Sequence, residues 1–262
     1  MSFWDLPAEA RVFCAVFAAA LGAVFGSFLN CAAWRVARKE SFVRGHSRCP
    51  NCGHTLGALD LVPVLSWLCL RGRCRYCREK IPPRYVLVEA LFALLSVACL
   101  VIFGLTAVAA RNWVFLACLL VLSLVDMEIC EIPDGCLLTA LVAYFAALPF
   151  DWHGWREVLL HVAAGVIYGG ALLVLSLVMD RVLKKESMGG GDVKLLAVAG
   201  LYLGLLPTLF AVILSCVLGL SQAAITGKTG GKTFPFGPAL SAATAATLFF
   251  GEKLAAWYLG LF

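Results

Sequence analysis

Long apolar runs alternate with short polar breaks along the chain, and the breaks carry most of the charge. A helix needs about 20 apolar residues to cross the hydrocarbon of a bilayer. Runs of that order fall at 12–34, 86–103, 113–131, 135–150, 158–180, 193–207, 208–226 and 238–262, and they predict eight spanning helices. The breaks lie at 35–84, 104–112, the Ile132-Pro-Asp-Gly135 turn, 151–157, 181–192, Pro207 and 227–238. Residues 193–226 form one apolar stretch, so Pro207 either divides two helices or kinks a single one, which leaves seven or six spans as alternatives. No internal repeat or low-complexity tract is evident.

Composition agrees with this pattern. The 262 residues are 62% hydrophobic and 14% charged, with a mean hydropathy of +0.91, outside the range of soluble globular chains. The expected class is an all-α polytopic membrane protein with a polar loop between its first and second helices. The first apolar run has no cleavage-like site and reads as a retained helix rather than a signal peptide. With eight spans and the N-terminus outside, the inner segments are 35–84, 126–134, 181–194 and 227–237. Of the 21 lysines and arginines, all but Arg11, Arg111, Arg156 and Lys253 fall in them. Basic residues accumulate on the cytoplasmic side of membrane proteins, so these segments are expected to face the cytoplasm. The net charge of +5 is uneven for this reason, and no nucleic-acid partner is expected.

The chain has twelve cysteines. Eight are scattered singly, mostly among apolar neighbours, where free cysteine packs as a small hydrophobe. The other four form Cys49-Pro-Asn-Cys52 and, 21 residues later, Cys74-Arg-Tyr-Cys77, all in the first polar loop. Two such pairs at this spacing point to a tetrahedral four-cysteine zinc site with Cys49, Cys52, Cys74 and Cys77 as ligands. Four thiolates leave no open coordination position, so the zinc would be structural. Disulfides or redox thiols are the alternative, and a cytoplasmic location disfavours disulfides. His54 reads as a polar loop residue.

Two aspartates stand where apolar runs meet polar breaks. Asp126 lies in Val121-Leu-Ser-Leu-Val-Asp-Met-Glu-Ile-Cys-Glu-Ile-Pro-Asp134, and Asp192 closes Gly189-Gly-Gly-Asp192. An ionisable residue at the membrane edge is costly to keep and is a functional candidate. Two neighbouring carboxylates share a proton, so one can act as general base while the other acts as acid. The three glycines remove side chains beside Asp192, which lets a peptide backbone approach. Taken singly, Asp126 could be an interfacial helix-end residue and Asp192 the N-cap of the following helix. Asp134 follows Pro133 in a turn and stands in reserve as the partner of Asp192. Glu128 and Glu131 read as solvated. Glu89, near the start of the second apolar run, pairs with a loop arginine, snorkels or has a function. Lys194 holds an acidic group or snorkels.

Several segments together resemble the type IV prepilin peptidase family of inner-membrane GxGD aspartyl proteases. They are Gly26-Ser-Phe-Leu-Asn30, Arg48-Cys-Pro-Asn-Cys-Gly-His54, Leu65-Ser-Trp67, Arg71-Gly-Arg-Cys-Arg-Tyr-Cys77, Arg84-Tyr-Val-Leu-Val-Glu89, Asp126 through Asp134, and Gly189-Gly-Gly-Asp-Val-Lys-Leu195. The resemblance covers nearly the whole chain in order, and it implies a multi-pass enzyme of the bacterial inner membrane with Asp126 and Asp192 catalytic. Such an enzyme cuts the basic leader of prepilins and pseudopilins after a glycine, on the cytoplasmic side. Many relatives then methylate the new N-terminus using S-adenosylmethionine, for which no binding residues stand out here. The acidic Met127-Glu-Ile-Cys-Glu131 departs from the more apolar family pattern. The implied division is a first transmembrane helix at 1–34, a zinc loop associated with methyl transfer at 35–84, and a peptidase core at 85–262. Two other readings remain: a GxGD peptidase without methyltransferase activity, and a non-enzymatic zinc-stapled membrane assembly factor.

Overall fold

A computed structural model describes residues 2–41, 47–49, 51–152, 154–184, 189–226 and 234–261. Arg44, Lys185, Lys228 and Lys232 of the basic set lie outside the described residues. The described residues form helices α1 (Ala8–Ala37), α2 (Leu65–Cys69), α3 (Arg84–Phe103), α4 (Ala107–Ile129), α5 (Asp134–Ala147), α6 (Trp155–Leu183), α7 (Gly190–Leu203), α8 (Leu205–Thr226) and α9 (Gly237–Leu259). They contain no β-strand, only two isolated antiparallel bridges. Each of the eight apolar runs becomes one of the helices α1 and α3 to α9. Five of these, α1, α3, α4, α6 and α8, are long and apolar enough to cross a membrane. The protein is a multi-pass, all-helical membrane protein.

Several boundaries shift by a few residues from the sequence reading, and two of the shifts have a clear local cause. The break between α7 and α8 falls at Gly204, which has φ +77°, and not at Pro207. Glycine enters that backbone region at low cost, whereas Pro207 sits in the first turn of α8, where a missing N–H costs the helix nothing. Helix α4 begins at Ala107, six residues before the expected start, because the Thr106 hydroxyl oxygen accepts the Ala109 N–H at 3.1 Å and caps it.

The chain divides into two compact units, Met1–Trp113 and Val114–Phe262, with the boundary inside α4. In the first unit α1 packs on α3 through Gly22 and Gly26, a small-residue spacing suited to close helix approach in a bilayer. A Cβ on Gly22 would come within 2.8 Å of the Ala93 Cα, and one on Gly26 within 3.0 Å of the Glu89 Cα. The Trp113 indole donates to the Ser96 hydroxyl at 2.8 Å, with Phe25 edge-on to the same ring. The opposite face of α1 presents exposed apolar side chains such as Phe13 and Phe17, as expected of a surface meeting acyl chains.

In the second unit α7 is the central helix and touches α5, α6, α8 and α9. Every residue from 198 to 203 is buried, as expected of a helix that is apolar all round. Its 14 residues rise about 21 Å, less than a bilayer core of roughly 30 Å. Glycines bring α6 against it: a Cβ on Gly200 would lie 2.8 Å from both the N and the Cα of Gly165. Tyr202 ties α7 to its neighbours by stacking on Phe115 at 3.9 Å and donating to the Ala140 carbonyl at 2.8 Å. Asp192 thus stands at the start of a helix whose far half is enclosed on all sides.

Candidate active site and metal centre

The loop between α1 and α3 is built from two matching knuckles. In the first, the Cys49 N–H donates to the His54 carbonyl at 3.0 Å and the Gly53 N–H to the Cys49 carbonyl at 2.9 Å. In the second, the Cys74 N–H donates to the Glu79 carbonyl at 2.9 Å and the Arg78 N–H to the Cys74 carbonyl at 3.0 Å. An antiparallel bridge closes each knuckle, Arg48 with Thr55 and Arg73 with Lys80. Both turns need a positive φ at the residue after the second cysteine, +70° at Gly53 and +61° at Arg78.

The knuckles bring the sulfurs of Cys49, Cys52, Cys74 and Cys77 within 4.8 Å of one another, a group that could hold a metal ion. The Cys49 and Cys77 sulfurs are 3.9 Å apart, close to the edge of about 3.8 Å that a zinc–sulfur bond of ≈ 2.3 Å gives a tetrahedron. The N–H groups of Cys52 and Asn51 point at the Cys49 sulfur and, against the effect of burial, bring its thiol down to about 7. A backbone that stabilises the Cys49 thiolate in this way suits that residue as a metal ligand. The four cysteines fit a structural zinc.

Further contacts tie the knuckles into the loop. The Asp60 carboxylate accepts from Arg75 at 2.7 Å and Tyr76 at 3.1 Å, both between the second pair of cysteines, and from the Gly57 N–H at 3.2 Å. Burial opposes these contacts, yet together they hold the Asp60 carboxyl below its usual range. His54 stacks on Tyr76 with ring centroids 3.6 Å apart, joining the two knuckles. Trp67 lies over Gly72, where a Cβ would come within 2.8 Å of the indole. Glu89 pairs with the backbone rather than an arginine: its buried carboxylate accepts the Val64 N–H at 2.7 Å.

In the second unit the structure brings Asp126 and Asp192 together from different helices. Asp126 lies in the last turn of α4, 5% exposed, and its Oδ2 accepts the Gly237 N–H from the start of α9 at 2.9 Å. Asp192 is the third residue of α7 and is half-buried. The two carboxylates are near enough for their charges to interact. Helix α7 reaches this position because Gly191 lies against Ile132, in the turn that follows α4; a Cβ on Gly191 would be 2.7 Å from the Ile132 Cβ.

Asp134 is placed differently. As the first residue of α5 it is exposed, and both its oxygens accept from the Lys194 ammonium, at 2.8 and 3.0 Å. Lys194 therefore holds an acidic group rather than snorkelling. Glu131 is exposed, as expected, and Glu128 is half-buried. The residue the sequence reading missed is Gly237. The available signal was Pro235-Phe-Gly-Pro238, a glycine before a proline where a polar break becomes helix.

Fold and site together define a helical membrane protein with a four-cysteine loop and a pair of facing carboxylates. Residues 20–103 match the bacterial peptidase A24 N-terminal domain, and residues 113–224 match the type IV leader peptidase family. The chain is 36% identical over 240 residues to a prepilin leader peptidase/N-methyltransferase of Myxococcus xanthus, covering 89% of this chain and 70% of that one. It is 35% identical over 265 residues to a protein of the same name from Burkholderia pseudomallei, covering 90% and 85%. A type 4 prepilin-like proteins leader peptide-processing enzyme of Escherichia coli is 34% identical over 251 residues, covering 87% and 91%. No solved structure matches the chain. The protein belongs to the type IV leader peptidase family. Membership of a peptidase family favours an enzyme over an assembly scaffold.

Proposed function

We propose that the protein cleaves the leader peptide of type IV prepilins or pseudopilins after a glycine, at the cytoplasmic face of the bacterial inner membrane, and then N-methylates the new N-terminus. The observation that carries the peptidase reading is the meeting of Asp126 and Asp192 within the stretch that matches the leader peptidase family. One carboxylate of the pair is ionised and takes a proton from water as the water oxygen attacks the scissile carbonyl. The other is protonated, polarises that carbonyl, and the pair returns a proton to the leaving amine. The side-chain-free surface at 189–191 gives an extended substrate room beside Asp192. The helices from residue 85 onward form the peptidase core.

Methyl transfer rests on the names of the relatives. S-adenosylmethionine would supply an electrophilic methyl group to the new amine. Cys49, Cys52, Cys74 and Cys77 would hold a structural zinc, and the knuckle hydrogen bonds, Asp60 and the His54–Tyr76 stack would keep the loop in shape around it. The substrates are membrane-anchored prepilins of a pilus or type II secretion system, and the bilayer is the solvent for the helices.

The deciding experiment is cleavage of a panel of prepilins by purified Asp126→Asn and Asp192→Asn proteins. Each loses roughly 100- to 10,000-fold in rate, as expected for removal of a general acid or base, while zinc content stays at the wild-type level. Undiminished cleavage by both variants refutes the assignment. Labelled S-adenosylmethionine in the same reaction tests the second activity, and unlabelled cleaved product would remove it.

A further inference from the structure

Asp126 is held by backbone. Its Oδ2 accepts the Gly237 N–H at 2.9 Å, and Gly237 is the first residue of α9. The first N–H groups of a helix have no partner within it and carry the positive end of its dipole. Pro238 at the next position has no N–H to offer, and no charged side chain stands in the first turn of α9 to compete.

Space makes the same point as the hydrogen bond. A Cβ built on Gly237 would lie 2.7 Å from Oδ2, 3.0 Å from Cγ and 3.2 Å from Cβ of Asp126. All three nearest atoms belong to Asp126. A side chain at 237 would therefore displace the carboxylate itself, and not a packed helix.

Asp192 has different surroundings. It receives no hydrogen bond from a described residue, and its charged neighbour is Asp126. Other titratable groups of the described residues on the segments at this end are Asp134 and Lys194, which engage each other, Glu128, Cys130 and Glu131 beyond Asp126 on its own segment, Cys136 on α5, and Asp180, Arg181 and Lys184 where α6 ends. Asp192 also stands in the first turn of a helix, α7, so the fixed N–H is what separates the two: it favours an ionised Asp126, and the carboxylate given no donor by a described residue is the one left to carry a shared proton.

We propose that Gly237 is a positioning residue of the peptidase reaction: its N–H and bare Cα fix Asp126 as the ionised, water-activating member of the pair and leave the proton on Asp192. The inference rests on the peptidase reading above and assigns roles within it. The attacking water gives its proton to Asp126 while its oxygen bonds to the scissile carbon, and the carbonyl oxygen takes the proton of Asp192. On collapse the carbon–nitrogen bond breaks, the amine nitrogen takes the proton from Asp126, and Asp192 recovers one from the hydroxyl that becomes the new carboxyl group.

The test is the pH dependence of leader cleavage by full-length Gly237→Ala, with Asp126→Asn alongside. In Gly237→Ala, kcat falls roughly 10- to 100-fold, the scale of a lost hydrogen bond to a charged group. KM stays near the wild-type value, because substrate binding is untouched. The acid limb of the profile moves up by about one pH unit, since losing the donor disfavours the ionised carboxylate. A structural defect alone would lower activity without moving the limb. Wild-type kcat and an unmoved limb in Gly237→Ala, with Asp126→Asn inactive, overturn the positioning role. Full cleavage by Asp126→Asn overturns the peptidase reading beneath it. Should Gly237→Ala not fold by thermal melting, the order of titration in the wild-type protein decides. Pro238→Ala keeps the Gly237 N–H and bare Cα and serves as the folding control. Read by carboxyl carbon-13 NMR, Asp126 loses its proton at lower pH than Asp192, and the reverse order overturns the proposal.

Discussion

Replacing Glu89 with alanine removes a side-chain acceptor that holds the turn at Val64. Val64 has φ +61° and ψ −54°, and the Leu65 N–H reaches back to the Pro63 carbonyl at 2.6 Å. That is a three-residue γ-turn of the positive-φ form, rare and strained, and valine suits it poorly. Holding a non-glycine residue in such a region costs about 1–3 kcal/mol. The hydrogen bond from the Val64 N–H to the buried Glu89 carboxylate is 2.7 Å long, and a bond of this kind contributes about 1.5–3 kcal/mol. The two magnitudes match, so the carboxylate offsets the strain of the turn. Without it the turn opens more readily by about 2 kcal/mol, a factor of roughly 30 in the open population. Hydrogen exchange read by mass spectrometry over residues 62–72 measures this directly. Glu89→Ala speeds exchange at Val64 and Leu65 by about that factor, while Glu89→Gln, which keeps an oxygen but not the charge, gives a smaller change. Wild-type exchange in Glu89→Ala would refute the claim that Glu89 holds the turn.

Other predictions address the remaining parts. Asp134→Asn costs at most about 1 kcal/mol, because both partners of its ion pair are exposed. It keeps leader cleavage within a few-fold of wild type, and a dead variant would make Asp134 the partner of Asp192. Gly200→Leu forces side-chain atoms into the Gly165 backbone and costs upwards of about 2 kcal/mol, seen as a lower melting temperature in detergent; an unchanged melt would mean that α6 and α7 do not pack this closely. Cys74→Ser, removing a buried member of the cysteine group, brings zinc measured by mass spectrometry well below one per chain. Retention of a full equivalent would mean that the metal, if bound, sits elsewhere.

How much of this was legible from the chain differs by feature. The helices were, because the cost of exposing polar groups to hydrocarbon writes itself as apolar runs of spanning length. The helix break at Gly204 was harder to place, since Pro207 three residues later is the louder signal and yet fits a first turn. The cysteine cluster was legible because a CxxC knuckle is local geometry. The partner of Glu89 was not: a backbone N–H 25 residues away leaves no mark on composition. Asp134 and Asp126 stand in the same short segment with the same side chain, and pattern alone left both in contention for Asp192. In the fold, Lys194 takes up Asp134, while Asp126 is buried against α9.

The sequence by itself therefore determined the membrane setting, the helical class, the four-cysteine group and a short set of acidic candidates. These follow from interactions between near neighbours, or from solvent preferences summed over a run of residues. Only the tertiary structure decided which carboxylates meet and what holds them. Asp126 and Gly237 are 111 positions apart, and the bond between them depends on how α4, α7 and α9 pack. A backbone N–H is present at every residue except proline, so which one meets a carboxylate is settled by helix placement and not by residue type.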